Sequence, residues 1–145
     1  MIRSLCVITI LAIGVVLTAQ QKPVTVYVQF IRGTHQDTPE AAEWKPVGNR
    51  LSKKLTPVFK WPHYWEVKRH TVTIYPQQVS KVNLGQEQML EIELVDPGQS
   101  ELRLYRKGKL VRKSRQQFDS KLAIMGGDTE GDQSWFVVVR RDRPT

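Results

Sequence analysis

The sequence predicts a mainly β protein, an antiparallel β-sandwich with one short helix in its N-terminal third. First, Val24–Ile31 alternates β-branched and aromatic residues with period two, which is typical of a strand. Second, similar short runs follow with turn residues between several of them. Third, 40% hydrophobic and 25% charged residues suit a globular chain and exclude a multi-span membrane protein. The further predicted strands are Tyr64–Val67, Thr71–Tyr75, Val79–Leu84, Met89–Val95, Glu101–Arg106, Lys109–Arg115, Lys121–Met125 and Ser134–Arg140.

Residues 1–19 have the layout of a secretory signal peptide. A positive end at Arg3 precedes the apolar run Leu5–Leu17, and the chain then turns polar. We expect cleavage near Ala19 and export to the periplasm or the extracellular space. A bilayer span needs roughly 20 apolar residues, so no permanent membrane span is expected, although retention of the segment as an anchor stays open.

The mature chain is expected to form one β-sandwich domain over residues 22–143. The single cysteine, Cys6, lies in the signal segment, so the mature chain would contain no disulfide and no Cys-zinc site. An exported domain without disulfides is more typical of a bacterial envelope than of a small eukaryotic secreted protein.

Between the first two strands, Asn49–Leu55 predicts the short helix. Asn49 is a good N-cap, the two leucines at 51 and 55 lie four residues apart, and Pro57 is expected to end the run. An irregular loop packed by leucines and Phe59 is the alternative. The alternation predicts a core of Val26, Val28, Leu90, Ile92, Leu94, Leu102, Leu104, Val111, Ile124, Phe136 and Val138.

The hairpin between residues 89 and 106 has a predictable register. A loop over Asp96–Ser100 would place Ile92 opposite Leu104 on the inner face and Glu93 opposite Arg103 on the outer face. A slip of one residue would place glutamates against leucines, which the buried face does not allow.

The next hairpin is predicted to turn at Lys107–Gly108, where glycine supplies the positive φ that two-residue turns need. This turn would place Leu104 opposite Val111 and Arg103 opposite Arg112. Gly126-Gly127-Asp128 is read as a further turn before the last strand.

A run of cations on this hairpin predicts an anion-binding face. The alternative is a solvated hairpin tip in which Glu93 already pairs with the central arginine. Nucleic acid is not expected as the partner, because an exported protein seldom meets it. The candidate anion-binding residues are Arg103, Arg106, Lys107, Lys109, Arg112, Lys113 and Arg115.

The densest aromatic segment offers a second candidate contact surface. Trp61, Tyr64 and Trp65 could form a platform for a sugar or a peptide, or they could fill the core. Tyr64 and Trp65 are adjacent in a strand and must point to opposite faces.

An acidic turn offers a weak metal site. Asp128, Glu130 and Asp132 are spaced two apart, as oxygen ligands of Ca²⁺ can be, but the EF-hand pattern is not met. A solvated turn is the simpler interpretation, and we expect no metal and no cofactor.

No catalytic motif is present, so the sequence favours a non-catalytic binding or assembly module of the bacterial cell envelope. Its expected partner is an envelope protein or an anionic polymer. One alternative is a hydrolase acting on an envelope polymer through an unrecognised site, marked by His63 or His70 meeting a carboxylate in a pocket. The other is a structural subunit, a homo-oligomer that pairs through its sheet edges.

The order of these parts resembles that of small uncharacterised exported bacterial β-sandwich proteins. The shared parts are the first strand Val24–Phe30, the Leu51–Leu55 helix, the Met89–Arg115 meander, Gly126-Gly127 and the apolar strand Trp135–Val139. The resemblance implies the fold and no activity. The chain is also similar to immunoglobulin-like sandwiches, but it lacks their Cys…Trp…Cys signature.

Overall fold

A computed structural model describes residues 21–96, 98–117 and 122–145. The predicted signal segment lies outside the described residues. The elements in chain order are β1 Val24–Thr34, β2 Lys45–Pro46, α1 Asn49–Phe59, β3 His63–Ile74, β4 Val79–Asn83, β5 Gln88–Asp96, β6 Gln99–Arg106, β7 Lys109–Gln117, β8 Ala123–Glu130 and β9 Gln133–Arg140.

The strands form two antiparallel sheets that pack face to face, which confirms the predicted β-sandwich. The first sheet has five strands in the order β2-β3-β1-β9-β8, and the second has four in the order β4-β5-β6-β7. Strand β1 is central and pairs with both β3 and β9. The two strands predicted around residue 70 are one continuous strand, β3, because the polar residues between them pair with β1.

The inner core lies between the two sheets. Strand β1 contributes Val26 and Val28, and the second sheet contributes Leu90, Ile92 and Leu104, all fully buried. Alternation with period two sends these side chains to one face of each strand, as the sequence predicted. Burial of such side chains stabilises the fold by about 1.5–3 kcal/mol each before conformational entropy is counted.

A second, outer core lies between helix α1 and the other face of the five-stranded sheet. Leu51 and Leu55 of the helix pack against Ile31, Phe136 and Val138. The helix therefore covers a sheet face that would otherwise expose branched apolar side chains. Phe136 and Val138 are buried as predicted, but they belong to this outer core and not to the space between the sheets.

Helix α1 differs from its prediction at both ends. Gly48 and not Asn49 is the N-cap, and no side-chain hydrogen bond caps the helix. Pro57 lies inside the helix, which continues to Phe59. Lys60 follows as the C-cap, and with its left-handed backbone (φ 60°) its N–H donates to the Thr56 carbonyl over 2.9 Å.

The register of the β5–β6 hairpin differs from the predicted one by two residues. Ile92 pairs with Leu102, and Leu90 pairs with Leu104. The predicted loop was too long, because Asp96 already pairs with Gln99. A shift of two keeps every side chain on its predicted face.

The β6–β7 hairpin turns at Lys107–Gly108 as predicted, with φ values of 50° and 76°. A bulge between Leu104 and Tyr105 then changes the register, so that Arg112 and not Val111 lies opposite Leu104. Val111 is 43% exposed, and its prediction as a core residue was therefore wrong.

The predicted turn at Gly126-Gly127-Asp128 is instead part of strand β8. The strand contains a bulge between Gly126 and Thr129, and it turns only afterwards, next to Gly131 with φ 58°. Glycines here accommodate the bulge within a continuous strand, which the sequence does not distinguish from a turn.

Candidate binding surface on the basic hairpin

The tip of the β6–β7 hairpin is held against the loop before β5. The backbone N–H of Lys107 donates to the Glu87 carbonyl over 2.8 Å. The Glu87 carboxylate also lies 3.8 Å from Lys107 Nζ and 3.7 Å from Arg106 Nε. Two of the predicted anion-binding residues thus share a carboxylate from this chain.

Arg103 lies at the centre of the outer face of the four-stranded sheet, surrounded by glutamates. Its guanidinium donates to Glu91 over 3.1 Å, to Glu93 over 3.0 Å and to Glu101 over 2.6 Å. The Arg103 side chain is 16% exposed. These carboxylates raise the pKa of Arg103, with Glu101 the largest cause. Arg103 is therefore a charge-paired centre of this face, and a ligand would have to compete with three glutamates for it.

Glu101 joins this centre to the edge strand β7. Besides Arg103, its carboxylate lies 3.3 Å from Arg115 Nε and 3.4 Å from Lys113 Nζ. The hydrogen bond from Arg103 holds the pKa of Glu101 below its usual range, and Arg115 and Lys113 add to this. The Glu101 carboxylate is thus shared by three cations.

The remaining cations of β7 have fewer carboxylate partners among the described residues. Lys109 is exposed and forms no ion pair within the described part of the chain. The Arg112 side chain is exposed and donates from Nε to the Gly126 carbonyl of β8 over 2.6 Å, a neutral acceptor in the other sheet. Strand β7 therefore presents a net positive surface at the edge of its sheet.

The three aromatic candidates pack into the structure to different degrees. Tyr64 is 5% exposed in the outer core beside Phe136, and burial raises the pKa of its hydroxyl. Trp61 is partly buried, with its ring against Gly33 and edge-on to His35. Trp65 is also partly buried and, as expected for adjacent strand residues, points to the opposite face from Tyr64.

The acidic candidates for a metal site lie near the β8–β9 turn. Asp132 is exposed there, whereas the side chains of Asp128 and Glu130 lie outside what the structure describes. Among the described residues, no group of three or more His, Cys, Asp or Glu side chains could hold a metal ion.

The two histidines that would mark a hydrolase do not meet carboxylates within the described residues. His70 lies on β3 opposite Val28, and its pKa is lowered by burial and by the charge of Lys68. His63 begins β3 opposite Thr34 and forms no described ion pair.

A buried polar cluster on the outer face of the first sheet was missed by the sequence reasoning. Gln29 is 2% exposed and donates to Glu66, which also accepts from Arg69 over 2.9 Å. Arg140, also buried, pairs with Asp142 and lowers the pKa of that carboxyl. Period-two alternation marks these positions as outward, and nothing local signals that α1 and the last residues cover them.

A cleft of about 260 Å³ adjoins this cluster, and its lining contains both positive and negative side chains. The lining residues are Arg50, Leu51, Lys54, Leu122, Arg140 and Asp142.

Within the described residues, no helix is long and apolar enough to cross a membrane.

Comparisons with protein-family models, with curated proteins and with solved structures find no match for this chain.

Proposed function

We propose that this protein is an exported, non-catalytic binding module that holds an anionic partner on the basic edge of its second sheet. The observation that carries the proposal is the charge balance of β7. Four cations lie on this exposed strand, and Glu101, already bound to Arg103, is the one carboxylate that they contact among the described residues. The contact residues of the proposal are Lys109, Arg112, Lys113 and Arg115.

The proposal has two physical grounds. Exposing these cations costs the fold little stability, and an anion bound to them forms favourable electrostatic contacts. Lys113 and Arg115 are exposed, and the buried Glu101 keeps its hydrogen bond from Arg103 when they turn to an external carboxylate, sulfate or phosphate, so the exchange leaves no buried charge unpaired. Several such contacts on one strand add together, and the summed field speeds association. Binding of this kind weakens with salt, because exposed charges are screened over about 10 Å at 0.1 M ionic strength.

Arg103 and the aromatic segment are left out of the proposed contact surface. Three glutamates already bind the Arg103 guanidinium, and Tyr64 lies under helix α1. Reversing the charge of Arg103 would leave the three glutamates without the cation that neutralises them, and the fold would lose stability. An effect of this substitution on binding could not be separated from that loss.

The experiment compares two triple charge reversals on a heparin column, used as a probe for anions. The test variant carries Lys109→Glu, Arg112→Glu and Lys113→Glu on β7. The control carries Lys22→Glu, Lys53→Glu and Lys54→Glu, all at exposed positions that do not belong to β7. Both variants lose the same net charge, so a difference between them reports position.

We expect the β7 variant to leave the column at clearly lower salt than the control variant, with both melting cooperatively by circular dichroism. Equal elution of the two folded variants would show that net charge alone causes retention and would remove the basis of the proposal.

Export is a separate part of the proposal, supported by the layout of residues 1–19. The test is to express the full chain with a C-terminal tag in bacteria, fractionate the cells and weigh the protein intact. We expect a chain beginning near residue 20 outside the cytoplasm. A protein that keeps Met1 in the cytoplasm or the membrane would contradict cleavage and export.

A further inference from the structure

Each sheet ends in an edge strand at the side of the sandwich where the candidate surface lies. Strand β7 ends the four-stranded sheet, and β8 ends the five-stranded sheet. Between them runs a groove of about 400 Å³. Its lining residues are Val111, Arg112, Lys113, Ser114, Ile124, Met125 and Gly126.

The inner face of β7 is polar, unlike the inner faces of its neighbours. Arg112 lies opposite Leu104, and Ser114 lies opposite Leu102. The inner core therefore ends at β6, and β7 extends beyond it with hydrogen-bonding side chains facing the groove. The Arg112 bond to the Gly126 carbonyl spans the groove at one point.

The backbone of strand β7 is also available for pairing with an added strand. It pairs with β6 on one side, and among the described residues no strand pairs with its other side. An edge strand of nine residues presents a row of N–H and C=O groups that can pair with an added strand. Strand β8 likewise pairs with β9 alone within the described part of the chain.

The charges on β7 select among the chains that could add to it. A second copy of β7 would bring four cations against four cations in one ribbon, which is unfavourable for directly opposed and diagonal pairs. An acidic strand would place carboxylates beside Lys113 and Arg115 on one face and near Arg112 on the other. Charge complementarity therefore favours an acidic segment from another protein over self-pairing.

We propose that the groove binds an extended acidic polypeptide segment as an added strand along β7. This inference rests on the proposed anion-binding function and adds the class of partner and the mode of binding. Backbone pairing would supply affinity, and alternate side chains would supply selectivity, since successive residues of a strand point to opposite faces.

The test uses a fluorescent eight-residue peptide that alternates Glu and Thr, with fluorescence anisotropy as the readout. Two further peptides carry N-methyl groups on alternate backbone amides, one in each phase, and keep the same charge. In an added strand, alternate amides point toward β7. We therefore expect one phase of methylation to weaken binding at least tenfold and the other phase to have little effect.

Hydrogen exchange on the whole protein supplies a second readout. We expect the unmethylated peptide to slow exchange of amides in β7, and the variant with Arg112→Glu and Lys113→Glu to bind it at least tenfold more weakly.

Three outcomes would overturn the inference. The two methylated peptides could bind as tightly as the parent, the peptide could fail to bind, or light scattering could show a stable dimer whose β7 amides are already protected. In the first two cases, heparin retention that still depends on β7 would leave the proposed function standing. Loss of that dependence would remove both.

Discussion

The ring of Trp61 lies directly on the backbone of Gly33. A Cβ atom built on Gly33 would lie 2.7 Å from Cδ1 of this ring and 3.0 Å from Cε2 of Phe136. Contacts under 3.0 Å do not occur between relaxed carbon atoms, so β1 needs a residue without a side chain at this point. The close approach fixes the segment between helix α1 and β3 against the first sheet.

Gly33→Ala is expected to destabilise the protein by about 1–3 kcal/mol, because the methyl group overpacks a buried site. Gly126→Ala is the matched control. Its Cβ would meet Phe59 at 3.6 Å, an ordinary contact, so we expect no loss and a gain of up to about 1 kcal/mol. Urea unfolding of both variants measures the difference. Equal stabilities would contradict the packing of Trp61 on β1.

Val111 and Leu104 test the bulge in the β6–β7 hairpin. Leu104 is fully buried, and Leu104→Ala is expected to cost about 2–5 kcal/mol. Val111→Thr is expected to change stability by less than about 0.5 kcal/mol, because the bulge places Val111 in solvent. Chemical denaturation again supplies the measurement. A large cost for Val111→Thr would support the regular register that the sequence predicted.

Glu101→Gln should lower the unfolding midpoint at neutral pH, because it removes the carboxylate that Arg103, Lys113 and Arg115 share. Arg103 remains partly buried with one partner fewer. Glu43→Gln, at an exposed position, is the control and should leave the midpoint unchanged. If both substitutions shift the midpoint equally, Glu101 is not the centre of this network.

The same carboxylate predicts a pH dependence of stability. The folded pKa of Glu101 is below its ordinary value of 4.5, so the unfolded chain binds the proton more tightly. Its stabilising contribution is complete above about pH 4.5 and is lost as the pH falls through the folded pKa. The free energy of unfolding of the Glu101→Gln variant should therefore fall less steeply in this acidic window than that of the wild type.

His70 predicts a second pH dependence at higher pH. Burial, followed by the charge of Lys68, lowers its pKa below the ordinary 6.5, so the unfolded chain again binds the proton more tightly. Stability should be complete above about pH 6.5 and decline as the pH falls toward the folded pKa. The His70→Gln variant should lack this decline in urea titrations between pH 7.5 and about 5. A variant that keeps the wild-type slope would assign the decline to another group.

Much of the fold could be predicted from the sequence because strand periodicity is a local property. Ile92 and Leu104 were expected to point inward, and both are fully buried. The register of their hairpin was wrong by two residues, and the faces were still right, since a shift of two preserves the side to which each residue points.

The contacts of the candidate site could not be predicted in the same way. Arg103 was expected opposite Glu93, and it lies opposite Glu91 while contacting Glu93 and Glu101 as well. Which carboxylates surround a guanidinium depends on diagonal neighbours across two strand pairs, and these depend on register. The bulge beside Leu104 had the same effect on Val111, because a bulge changes the side of every following residue.

By itself, the sequence determined the alternation of apolar and polar residues along the strands and the burial of one face of each strand. It also determined the position of the short helix and the dense positive charge of β7. The tertiary structure alone decided the registers, the outer core under α1, the three glutamates around Arg103 and the groove between β7 and β8. The physical reason is the sequence separation over which each property acts. Alternation and charge density are set by neighbours along the chain. Strand pairing, the covering of a sheet face by a helix and the presence of an unpaired edge strand depend on residues far apart in sequence that compete for the same positions.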